Sequence, residues 1–181
     1  MKRLSDQSAL IVIDLQTAMF AGDLFEPLHQ ADRLADRVRS LLAWARRTGR
    51  PVCFIRHDGD SGDSLAPGAS GWPIWPALGQ AEHEPTFSKT VGDAFSQAAL
   101  VDWVGQNQLA EVILLGAQSD QCVAATVKGA LERGLAVTVV ADAHSTWDSE
   151  GESAEHIITR YNALFANSGA HLASTEDVIR S

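Results

Sequence analysis

The chain carries only two cysteines, Cys53 and Cys122, too few for a disulfide framework. Unpaired thiols of this kind fit a reducing, cytoplasmic setting. Positive charge is also scarce. Lys and Arg number 14 against 23 Asp and Glu, for a formal net charge of −9. No large basic patch is on offer, which argues against nucleic acid and anionic membranes as partners. No apolar run approaches the ~18 residues of a membrane-spanning helix. The opening MKRLSDQSAL has two basic residues and then turns polar, unlike a signal peptide. Internal repeats and low-complexity tracts are missing as well. What is present is 181 residues, 45% apolar and 20% charged. That is enough for one globular domain over 1–181 with a sizeable core, and short for two.

Several brief apolar runs alternate with longer amphipathic stretches. Ser8 to Asp14 (SALIVID), Pro51 to His57 (PVCFIRH), Val112 to Leu115 and Ala136 to Asp142 (AVTVVAD) are near-continuous in apolar residues. Runs of that kind suit parallel strands covered on both faces. Pro85 to Thr90 and Ala170 to Ser174 read as shorter strands. Between them, Leu34, Val38, Leu41 and Ala45 recur at helical spacing within Ala31 to Thr48, and Gly49 and Pro51 end that helix. Further helices are expected over Gln97 to Asn107, Cys122 to Arg133, Glu150 to Asn167 and Glu176 to Arg180. Connections of a dozen residues or more permit parallel crossovers. The expected fold is therefore α/β, a three-layer α/β/α arrangement with a mostly parallel sheet of about six strands.

Three residues stand where such a sheet places its chemistry. Asp14 ends the first strand, on the side where open α/β sheets bind ligands. Lys89 lies near the end of the short PTFSKT strand. Cys122 follows the strand EVILLGA, with Ser119 or Asp120 as the expected N-cap of its helix. A thiol in a first helical turn is expected to have a lowered pKa and to be reactive. Each residue also has a plainer reading: a turn cap, a surface charge and a small buried hydrophobe. Cys53, inside a strand, reads as packing. His57 and Asp58 end the second strand, and two ligands are too few to define a metal site. Asp58 to Gly79 is a long irregular stretch containing Trp72 and Trp75, which either wall a pocket or anchor the loop. His144 and Trp147 sit in the loop after AVTVVAD.

Taken together, ALIVIDLQ with Asp14, FSKTVGDAF with Lys89, and LLGAQSDQCVAATVKGALERGLAVTVVADAHSTW with Cys122 resemble the isochorismatase-like cysteine hydrolases. That superfamily includes nicotinamidases and N-carbamoyl amidohydrolases. The resemblance runs from about Ser8 to Ile179. It implies an isochorismatase-like hydrolase fold and a catalytic triad of Asp14, Lys89 and Cys122. It implies a cis peptide bond at Ala117–Gln118, with the backbone N–H groups of Gln118 and Cys122 forming an oxyanion hole. It further implies a homo-oligomer acting on a small-molecule substrate. The expected pocket residues are Gln16, Phe20, Trp72 and Trp147. The Asp-x-His pattern by which the nicotinamidases bind metal is not found around His57, so neither metal nor cofactor is expected. Because true isochorismatases typically lack the nucleophilic cysteine, Cys122 argues for C–N hydrolysis through a thioester. Two other readings stay open: an isochorismatase-type hydrolase of another small substrate, and a non-catalytic binding protein on the same fold. A thiol redox enzyme is weakened by the absence of a resolving cysteine.

Overall fold

A computed structural model describes residues 4–21 and 26–181. The apolar runs form six strands: β1 (Ser8–Ile13), β2 (Val52–His57), β3 (Thr86–Lys89), β4 (Glu111–Ala117), β5 (Ala136–Ser145) and β6 (His171–Ala173). Among the described residues five α-helices separate or follow them: α1 (Ala31–Arg47), α2 (Ala98–Gln106), α3 (Ala124–Glu132), α4 (Ala154–Asn167) and α5 (Thr175–Arg180). All strand pairs are parallel, in the order β3-β2-β1-β4-β5-β6.

Strand alternation divides the core in two. Leu10 and Val12 of β1, with Phe54, Ile113 and Leu115, pack under α1 and α5. Ala9, Ile11 and Ile13, with Ile55, Val112 and Leu114, pack under α2, α3 and α4. Every residue of β1 and β4 is buried, which explains why both are apolar after their first residues, Ser8 and Glu111. Trp44 of α1 joins Leu34, Val38 and Leu41 in this core, an inward position its sequence neighbours left unmarked. The result is the expected three-layer α/β/α architecture. Among the described residues no helix is long and apolar enough to cross a membrane.

The strand order positions the site. From β1 the chain adds β2 and β3 on one side, then returns to place β4 on the other. The direction of winding therefore reverses between β1 and β4, and a crevice opens beyond their carboxyl ends. Asp14 follows β1 in a left-handed conformation, with φ of 48°. Gly116 lies opposite Ile13 in the β1–β4 register. A Cβ at Gly116 would sit 2.1 Å from the Ile13 carbonyl oxygen, and its φ of 131° is one that side chains disfavour. Only glycine lets β4 approach the Asp14 turn this closely.

Candidate active site

Three strand ends deliver the three side chains. Lys89 is the last residue of β3 and pairs in register with His57 at the end of β2. Its side chain is fully buried and reaches back toward the crevice. Lys89 Nζ donates to Asp14 Oδ2 at 2.6 Å and lies 3.2 Å from Cys122 Sγ. Asp14 is itself 1% exposed. Its other oxygen, Oδ1, is buried and has no hydrogen-bond partner among the described residues. One ammonium thus bridges a carboxylate and a sulfur, and one carboxylate oxygen is left to accept a proton.

Cys122 is not in the first turn of an α-helix. Ser119–Val123 is a π-helical turn, and α3 begins only at Ala124. Val123 N–H donates to the Gln118 carbonyl at 3.0 Å. The Ala117–Gln118 peptide bond is cis. Neither Ser119 nor Asp120 caps the turn, contrary to the sequence expectation. Both side chains are engaged sideways. Asp120 Oδ1 accepts from the Thr146 hydroxyl at 2.7 Å. Ser119 Oγ lies 2.8 Å from His144 Nδ1, and His144 Nε2 lies 3.0 Å from Asn162 Oδ1. Because Asn162 Nδ2 donates to the Ala141 carbonyl, Asn162 Oδ1 must accept from His144 Nε2–H. His144 Nδ1 then accepts from Ser119. A neutral, buried histidine therefore props the turn that holds Cys122. Burial pushes the His144 pKa down. Sequence spacing gives no signal for this prop, since its members come from the turn, β5 and α4.

The thiol is held protonated. Burial first, and then the Asp14 carboxylate, push the Cys122 pKa up to about 12, while Lys89 pulls the other way. The expected lowering is thus overturned. Two opposing charges close to the sulfur outweigh any helix dipole, and the negative one prevails together with desolvation. Cys53 is fully buried and its pKa is raised well above the ordinary thiol range by burial alone.

The trio opens on a cleft of about 730 Å³. Met19, His57, Thr90, Val91, Gln118, Gln121 and Lys128 line it with the trio's Asp14 and Cys122. Of the aromatics expected to wall it, Trp147 lines an adjoining recess that shares Met19, Asp63, Leu65 and Gln118 with the cleft. The other expected pocket residues are placed elsewhere. Gln16 is buried and ties chain segments together: its Nε2 donates to the His57 and Trp72 carbonyls and its Oε1 accepts from His57 N–H. Phe20 stacks on Trp75, with centroids 4.0 Å apart, and lines a different cavity. Trp72 donates to Asp58 Oδ1 and lies under the Arg56 guanidinium, 3.6 Å from its ring centre. The tryptophans of 58–79 thereby anchor that loop.

His57 does turn to the trio. One of its ring nitrogens, an Asp14 oxygen and Cys122 Sγ all lie within 4.8 Å of one another. Among the described residues a cation there would meet three protein ligand atoms, and the Lys89 ammonium already bonds both the Asp14 carboxylate and the sulfur. These residues do not fit a resident metal.

Comparison with known proteins agrees with this fold. A streptothricin hydrolase from Streptomyces noursei is 39% identical over 143 residues, covering 77% of this chain and 50% of that protein. The chain thus spans about half the length of this relative. A cysteine hydrolase from Pseudomonas syringae superposes with a TM-score of 0.90 at 19% identity, covering 98% of this chain and 93% of the other. N-carbamoylsarcosine amidase from Thermoplasma acidophilum superposes with a TM-score of 0.80 at 21% identity, covering 93% and 96%. These two likenesses speak for the fold. The isochorismatase domain model matches residues 8–177, and the chain belongs to the isochorismatase family.

Proposed function

We propose that this protein is a cysteine hydrolase that cleaves a C–N bond, of amide or N-carbamoyl type, in a small molecule through a thioester. The observation that carries this reading is the Lys89 bridge, 2.6 Å to Asp14 and 3.2 Å to Cys122, at the floor of a cleft. A carboxylate with one free oxygen beside a protonated thiol is a base beside a nucleophile. The relative named for streptothricin hydrolysis supports a hydrolytic role, and the fold is one that an N-carbamoylsarcosine amidase shares.

Asp14 Oδ1 takes the thiol proton as Cys122 Sγ attacks the carbonyl carbon. Negative charge moves from carboxylate to sulfur, and Lys89 faces both, so its field serves reactant and product alike. The backbone N–H groups of Gln118 and Cys122 receive the oxyanion, a contribution of about 10²–10³ in rate per donor. Asp14 then gives its proton to the leaving nitrogen, and the C–N bond breaks. Water, deprotonated by Asp14, releases the acid and restores the thiol.

The test is a hydrolysis screen of small primary amides, N-carbamoyl amino acids and lactams, read by released ammonia or amine. Wild-type protein is expected to cleave members of the panel and Cys122→Ala none. Equal cleavage by both proteins overturns the assignment.

A further inference from the structure

The trio accounts for every reacting proton but leaves one buried polar atom without a task. His57 Nδ1 is buried and has no hydrogen-bond partner among the described residues. The only other such side-chain atom is Asp14 Oδ1. An unpaired buried nitrogen costs about 1–3 kcal/mol in desolvation, so a site that keeps one is expected to fill it during use. The ring is not loosely placed. His57 N–H and carbonyl are both held by the Gln16 side chain, and its strand is paired to β3 at Lys89.

The geometry defines what fits. Three atoms mutually within 4.8 Å always share a point no more than about 2.8 Å from each, because 4.8 Å divided by √3 is about 2.8 Å. A His57 ring nitrogen, an Asp14 oxygen and the Cys122 sulfur therefore face one small space. One small polar group, a water or a single substrate heteroatom, is what three groups this close can share. Lys89, already bonded to two of the three groups, disfavours a cation in it.

We infer that His57 is a fourth catalytic residue, whose Nδ1 orients the hydrolytic water against the acylated Cys122. This rests on the hydrolase reading above. In the Nε2–H tautomer Nδ1 accepts one water proton, while the other points at Asp14 Oδ1. The water oxygen then bonds to the acyl carbon and its second proton passes to Asp14. The tetrahedral species collapses, the C–S bond breaks, and its electron pair stays on Cys122, facing Lys89. Asp14 returns the proton to the sulfur. With the water held at both hydrogens, its lone pair is directed at the carbonyl.

p-Nitrophenyl acetate isolates this step, because p-nitrophenolate leaves as an anion and needs no proton from the enzyme. The thiol proton taken by Asp14 passes to solvent before water attacks. Wild type is expected to release p-nitrophenolate in a burst, carry an acetyl group on Cys122, and turn over. His57→Ala should keep the burst and the acetyl group but lose roughly tenfold or more in the steady-state rate, so the adduct accumulates. His57→Asn places an amide oxygen near the Nδ1 position and should recover most of that rate. A steady-state rate in His57→Ala equal to wild type, or loss of the burst in both variants, overturns the inference. Absence of the acetyl group from wild-type Cys122 overturns the nucleophile reading instead, and this inference with it.

Discussion

Replacing Asp14 by Asn should separate two properties that rise and fall together in most cysteine enzymes. The variant should lose hydrolysis, because the base is gone. Its sulfur should nevertheless become more reactive to alkylation. Asp14 is one of the two main causes that push the Cys122 pKa up to about 12, and Lys89 opposes it. An Asp14 oxygen and Sγ lie within 4.8 Å of each other. Two unit charges at that distance repel by about 3.5 kcal/mol at an effective dielectric constant of about 20. Removing the carboxylate charge therefore raises the thiolate population on the order of 300-fold. A less basic thiolate is a weaker nucleophile, with a Brønsted coefficient of about 0.4–0.5, which returns roughly half of that gain on a logarithmic scale. The net expectation is alkylation about 20- to 30-fold faster than wild type at pH 8. The assay is iodoacetamide labelling followed by intact mass, with circular dichroism to show that the fold persists. Labelling no faster than wild type in a folded variant would show that the Asp14 charge does not raise the Cys122 pKa, and so that Asp14 does not govern the sulfur.

Three other outcomes follow from the same contacts. Lys89→Met leaves Asp14 buried without its ion-pair partner, so turnover should vanish and urea unfolding should show a loss of about 3–5 kcal/mol. Gly116→Ala drives a methyl group to 2.1 Å from the Ile13 carbonyl oxygen at a φ of 131°. It should cost about 2–6 kcal/mol in stability and displace the Asp14 turn, read as a lower thermal midpoint together with lower kcat. His144 has a folded pKa below its unfolded value of about 6.5, so the unfolded chain binds the extra proton first as pH falls. Wild-type stability should therefore decline below about pH 6.5, down to the folded pKa, by up to ~1.4 kcal/mol per pH unit from this group. His144→Gln should show a shallower decline in urea midpoints between pH 7 and 5.5; an unchanged slope would remove His144 from the acid response.

The chemistry-bearing strand ends were readable because burial on both faces writes parallel strands as continuous apolar runs. SALIVID, PVCFIRH and EVILLGA marked β1, β2 and β4, and their ends put Asp14, His57 and Cys122 near one rim. The π-helical form of the Cys122 turn was not readable. It is set by sideways bonds from Ser119 to His144 and from Asp120 to Thr146, which local cap rules count as available for the helix. The direction of the thiol pKa was missed for a related reason. Helix position is local, whereas the carboxylate beside the sulfur comes from the far end of the chain. Phe20 and Trp72 failed as pocket markers because a large ring near a loop is equally suited to anchoring it, as Phe20 on Trp75 and Trp72 under Arg56 show. His57 was visible as a candidate ligand, but its unpaired nitrogen exists only in three dimensions.

Covalent chemistry at Cys122 is the centre of this account. It is tested most directly by acid-quenching wild-type protein during turnover of an amide from the screen and mapping the tryptic peptide that carries Cys122. This peptide should gain the mass of the acyl half of the substrate, and Cys122→Ala should show neither adduct nor turnover. Undiminished turnover by Cys122→Ala would contradict covalent chemistry at this residue.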